Sequence, residues 1–154
     1  MSEGESALRL REVVGVLSVV LSLLFVGWEI RQNTKVARGQ TRVELTAMNN
    51  EFLERIRSDP EFSELWRTAW LDEAILDEAA EYRIEFMMMQ YLRLLENVHL
   101  QYQEGLLDRE ALDSYGFLGF DDLFISHPRF ARIWEPRQAS FDPAFVAFLE
   151  KGDY

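Results

Sequence analysis

An apolar run near the N-terminus constrains this chain more than any other feature. Val13 to Trp28 is sixteen residues without a charge, of which six are Val and four are Leu. As a helix, the run covers roughly 24 Å, a little short of the roughly 30 Å hydrocarbon core of a bilayer. Arg11 and Arg31 can extend to the headgroups from either end, and Trp28 lies where an interfacial aromatic is favoured. The run therefore predicts a transmembrane helix over residues 13–30.

The same run has two other interpretations. A secretory signal peptide would need a cleavage site of small residues, and Gly27-Trp28-Glu29-Ile30 is a poor one; Glu3, Glu5 and Glu12 also precede the run. A buried core helix of a soluble bundle is the second interpretation, because sixteen residues is at the short end for a span.

Flanking charges predict the orientation of the span. Arg9 and Arg11 precede it, whereas four basic residues follow within fourteen residues of Trp28. An excess of basic residues marks the cytoplasmic side of a membrane helix. We therefore expect the short N-terminal segment 1–12 outside and the C-terminal domain in the cytoplasm.

The residues after the span predict a basic juxtamembrane helical stalk over 31–58. No Pro interrupts residues 7–59, so one helix is expected to continue to about Ser58. Four basic residues at spacing i, i+4, i+7 and i+11 share one face of it, and they are expected either to contact anionic lipid headgroups or only to set topology. These four are Arg31, Lys35, Arg38 and Arg42.

Small and polar residues share a roughly opposite face of the same helix. They are Gly15, Ser18, Ser22 and Glu29. Small side chains let two helix backbones approach closely, and hydroxyls can bond between helices. The face therefore predicts association in the membrane. The alternative is that the small residues are incidental and that Glu29 simply lies among the headgroups.

Residues 59–154 predict an acidic helical domain. Residues 51–154 contain ten Lys/Arg and twenty-two Asp/Glu, a net charge of −12, so we expect no nucleic-acid partner. An apolar helix is expected from about Asp77 to Glu104. Further helix starts with an N-cap followed by proline are Asp59-Pro60, His127-Pro128 and Asp142-Pro143. The predicted fold class is all-α, with the transmembrane helix continuing into a bundle of about five further helices.

Few residues form a pattern that carries chemistry. The chain has no cysteine, which excludes disulfides and thiolate sites. Glu96 and His99 have the spacing of a di-iron ligand pair, but the only other histidine, His127, has Phe124 where its glutamate would be. Met87–Met89 point in three directions on a helix and predict core packing. We expect no metal, no cofactor and no catalytic residue, hence no enzyme.

Four segments resemble a large set of uncharacterised bacterial proteins. The most specific runs from Phe25 and ends in the junction Ile30-Arg31-Gln32-Asn33-Thr34; the others are Ala37-Arg38-Gly39-Gln40, Ser58-Asp59-Pro60-Glu61, and Glu96-Asn97 with Gln101-Tyr102-Gln103-Glu104-Gly105-Leu106-Leu107. The resemblance covers nearly the whole chain. It implies a single-pass protein of the bacterial inner membrane with a cytoplasmic helical domain, and it implies no particular activity.

Three hypotheses for function follow. The first is a membrane-anchored, non-enzymatic interaction, scaffold or accessory module that binds lipid and forms a homo-oligomer or binds another membrane protein. The second is a subunit of an oligomeric ion or solute path lined by Ser18, Ser22 and Glu29, which ion flux from reconstituted protein would reveal. The third is a membrane-tethered enzyme, which a deep pocket with convergent polar groups would favour.

Overall fold

The regular structure in the described part of the chain is entirely helical. The computed structural model describes residues 3–72, 74–117 and 121–151, with side chains over 11–72, 74–115 and 123–151. These residues contain six α-helices and no strand, which confirms the predicted all-α class. The chain divides into two compact units, Met1–Gly39 and Gln40–Tyr154.

The first helix, α1, runs from Glu3 to Ser58, so the expectation of one helix continuing to about Ser58 is confirmed. It ends because Asp59 precedes a proline, whose ring disfavours the helical conformation of the residue before it. Asp59 is accordingly extended, with φ −110° and ψ 99°, and its carboxylate accepts a hydrogen bond from the backbone N–H of Phe62 at 3.0 Å.

Five shorter helices follow. They are α2 (Pro60–Leu71), α3 (Glu78–Gln103), α4 (Arg109–Leu112), α5 (Pro128–Trp134) and α6 (Pro143–Lys151). Each predicted proline start is confirmed, and Asp77 caps α3 through the N–H of Ala80 at 2.8 Å. Gly105 follows α3 with φ 72°, the left-handed conformation that glycine allows at a helix C-terminus.

The segment between α4 and α5 is less regular. Asp113–Phe117 and Asp121–Ile125 form short π-helical turns. Before these turns, Asp108 caps the short helix α4, and its carboxylate accepts a hydrogen bond from the backbone N–H of Ala111 at 2.9 Å.

The core of the second unit is built around α3. Ile84, Met88, Leu92, Leu95 and Val98 are fully buried on it, so the expected core role is confirmed for the middle one of the three consecutive methionines. Leu45 and Phe52 from the last part of α1 are 2% and 8% exposed. Residues 40–58 of the predicted stalk therefore pack with the acidic domain.

A buried arginine links three elements of this unit. Arg129 of α5 is 3% exposed. Its guanidinium donates to both carboxylate oxygens of Glu81, at 3.2 and 3.1 Å, to the carbonyl oxygen of Ala74 at 2.8 Å, and to that of Ala69. The network joins α5 to α3, to the end of α2 and to the α2–α3 connection. Nothing in the sequence pattern predicted it.

Candidate membrane anchor and its flanking faces

The predicted span lies on α1 with its apolar side chains uncovered. Every large apolar side chain from Val13 to Trp28 is between 45% and 67% exposed. Within the described residues, α1 is the helix long and apolar enough to cross a membrane, and none of its apolar stretch is buried in the protein. A core helix of a soluble bundle would instead be covered by its neighbours.

The predicted basic face is exposed along its length. Arg31, Lys35, Arg38 and Arg42 all have exposed side chains. The Arg42 guanidinium donates to the Asp108 carboxylate at 2.8 Å, in an ion pair whose side chains are 53% and 63% exposed. Arg42 would have to leave this partner to reach a lipid phosphate.

The predicted small-residue face is also uncovered. A Cβ added at Gly15 would meet no atom within 4 Å, and Ser18, Ser22 and Glu29 are exposed. The Ser18 hydroxyl donates to the carbonyl of Val14 and the Ser22 hydroxyl to that of Ser18, both at 2.8 Å. Because both hydroxyls already have acceptors within the helix, the face offers small size rather than unsatisfied donors.

The Glu96/His99 pair has no further ligand around it. Within the described residues, no group of three or more acidic or histidine side chains is placed to hold a metal ion. Glu96 instead accepts the backbone N–H of Asp142 at 2.6 Å and a bond from Arg93 at 2.8 Å. His99 is 3% exposed, as expected for a core residue, but its Nδ1 has no hydrogen-bond partner among the described residues.

A groove of about 430 Å³ lies between the last part of α1 and α3. Met48, Phe52 and Phe86 contribute apolar lining, and two arginines lie beside them. Both guanidiniums are taken by carboxylates of their own helices: Arg55 contacts Glu51 at 2.6 Å, and Arg93 contacts Glu96 at 2.8 Å. The groove therefore has an apolar lining, and the charges of the two arginines beside it are balanced by carboxylates of the same helices.

Comparison with known protein families, curated proteins and solved structures finds no match to this chain.

Proposed function

We propose that the protein is a membrane-anchored helical module that acts through protein–protein contacts at the bacterial inner membrane. The observation that carries the membrane anchor is the uncovered apolar stretch of α1, whose ten Val and Leu side chains are 45% to 67% exposed. Each such side chain favours insertion by roughly 0.3–0.6 kcal/mol at the centre of a membrane helix. The apolar stretch of α1 is therefore expected to lie in the hydrocarbon core of a membrane.

Orientation follows from the charge on each side of the span. Four basic residues follow Trp28 closely and two precede the run, so the positive-inside rule favours residues 31–154 in the cytoplasm. The acidic residues of the domain contribute little to orientation. Their net negative charge is repelled by an anionic leaflet, so the basic face next to the span is the part expected to approach the headgroups.

The basic face is proposed to bind anionic headgroups through Arg31 and Lys35 more than through Arg42. Full-length protein carrying Arg31→Gln with Lys35→Gln should lose about tenfold in its preference for anionic over zwitterionic lipid, since each basic residue near the surface contributes about 1 kcal/mol and the acidic domain opposes part of this attraction. The measurement is lipid selectivity in mixed bilayers at low and high salt.

Arg42→Gln is the matched control for this face, because its guanidinium already pairs with Asp108. It should change the selectivity least. Added salt should weaken the preference of the unaltered protein. If the unaltered protein shows no selectivity for anionic lipid, the basic face serves topology alone.

Self-association through the small-residue face is the second part of the proposal. Ser18→Leu with Ser22→Leu should weaken oligomerisation in lipid, because bulky side chains prevent close approach of two backbones. Since both hydroxyls bond within their own helix, the expected loss is modest, about 1 kcal/mol, or roughly fivefold in the dissociation constant. Mass determination in native-like lipid measures it.

Leu17→Ala with Leu24→Ala is the comparison pair, on other parts of the helix surface. It should change the mass distribution less, provided that insertion into the membrane is first shown to be intact. An oligomer that responds to neither pair is held by other contacts, and a uniformly monomeric protein would contradict self-association altogether.

A further inference from the structure

One buried titratable side chain plays no part in the proposed anchoring. The His99 ring on α3 lies against two rings of α6, with centroid distances of 5.8 Å to Phe145 and 4.5 Å to Phe148. The residue is 3% exposed, and its Nδ1 is buried without a hydrogen-bond partner among the described residues. The imidazole therefore forms part of the contact that holds α6 in place.

Two other residues of α3 hold the start of α6. The Arg93 guanidinium lies 4.0 Å from the centre of the Phe141 ring and donates to the carbonyl of Ser140 at 3.1 Å. Glu96 accepts the backbone N–H of Asp142. Arg93, Glu96 and His99 follow one another at intervals of three residues, so one side of α3 contacts the last segment of the chain from Ser140 to Phe148.

The charges around the ring come from both helices. From α6, Asp142 acts on His99 and favours its protonated form, while Glu150 and Lys151 are exposed at the other end. From α3, the Glu96 carboxylate is engaged by Arg93 and by Asp142 N–H. Burial outweighs the attraction of Asp142 and lowers the pKa of His99 below its ordinary value.

We propose that His99 makes the docking of α6 on α3 sensitive to pH, so that acidification releases α6. A protonated imidazole would carry a charge and an N–H at Nδ1 into contact with two phenyl rings, where no acceptor among the described residues receives the N–H. When α6 leaves, the ring meets water and the imidazolium is solvated. Release also uncovers the apolar side of α6, including Phe145 and Leu149, for another protein.

The sign of the pH dependence follows from linkage. A released His99 has the ordinary pKa of about 6.5, and the docked one has a lower pKa. Well above pH 6.5 neither form is appreciably protonated, and docking does not depend on pH. Between the two pKa values protons bind the released form preferentially, so the release equilibrium rises up to tenfold for each unit of pH lost.

The test uses the absence of cysteine in the chain. Ala147→Cys places a thiol on the exposed side of α6. In full-length protein in lipid nanodiscs, a nitroxide attached there should show a larger mobile fraction at pH 5.5 than at pH 7.5, by a few fold and at most about tenfold. At pH 5.5 most carboxylates are still ionised.

Two further variants separate His99 from general acid effects. His99→Phe keeps a ring in the contact and cannot titrate, so its mobile fraction should not change with pH. Asp142→Asn keeps a capping side chain but removes the charge that favours the imidazolium, so its pH response should exceed that of the parent. An unchanged pH response in His99→Phe would overturn the proposal.

A measurement on the parent protein covers the case in which His99→Phe does not fold. The chain has two histidines, so the imidazole signals can be followed by NMR after histidine-specific isotope labelling. His99 should titrate below 6.5, and α6 should become mobile over the same range. A His99 pKa at or above 6.5, or mobility of α6 that does not change with the titration, contradicts the proposal.

Discussion

Replacing Arg129 with alanine is expected to lower the free energy of unfolding by about 2–4 kcal/mol, because the buried guanidinium is the donor to two backbone carbonyls and to the half-buried Glu81 carboxylate. The substitution leaves the carbonyls of Ala69 and Ala74 without their donor and leaves Glu81 facing the space of the lost side chain. It also unlinks α5 from α3. Urea denaturation of the full-length protein in detergent measures the loss.

Arg57→Ala is the matched control, since Arg57 is paired with Glu54 in the same helix but is 82% exposed. Exposed pairs of this kind contribute at most about 1 kcal/mol. Glu81→Gln should again destabilise strongly, because it leaves the Arg129 charge buried beside a neutral amide. If Arg129→Ala costs no more than Arg57→Ala, the network does not hold these helices together.

The helix boundaries could be predicted from the sequence because their causes are local. A capping side chain followed by proline fixes where α2, α5 and α6 begin, and Asp77 fixes α3 in the same way without a proline. The long α1 follows from the absence of proline over residues 7–59. At the starts of α2, α3, α5 and α6, the residues that determine the boundary lie within one turn of it.

The polar contacts between helices could not be predicted, because their partners are distant in sequence. Glu81 lies 48 residues before Arg129, and Asp108 lies 66 residues after Arg42. An arginine in the first turn of a short helix has no periodicity that distinguishes a buried side chain from a solvated one. The same holds for His99: it lies on an apolar helix, but that pattern does not predict that Nδ1 is buried without a hydrogen-bond partner among the described residues.

The features of the candidate membrane residues likewise divide into those that the sequence predicts and those that only the structure shows. That Val13–Trp28 would be helical and Gly15, Ser18 and Ser22 would be small and uncovered follows from composition and spacing. The Ser18 and Ser22 hydroxyls bond to the carbonyls of Val14 and Ser18, as helix geometry allows. Because both hydroxyls are already bonded, the expected association energy comes from close packing of the helices rather than from hydrogen bonds between them. The pairing of Arg42 with Asp108 could be seen only in the folded structure, because the two residues are far apart in the sequence.

Two single-cysteine variants are expected to react from opposite sides of a membrane. Ser6→Cys lies before the apolar stretch, and Glu135→Cys is on an exposed position of the second unit. Since the chain has no other cysteine, each thiol reports one side. The expected contrast is nearly all-or-none, because a membrane-impermeant maleimide does not cross a bilayer that a single helix spans.

Labelling of these two variants in bacterial spheroplasts, before and after lysis, tests the membrane-anchored account most directly. The account predicts that the Ser6→Cys thiol reacts in intact spheroplasts, that the Glu135→Cys thiol reacts only after lysis, and that both proteins stay in membranes washed at alkaline pH. Recovery of either protein in the soluble fraction, or reaction of the Glu135→Cys thiol before lysis, would contradict it.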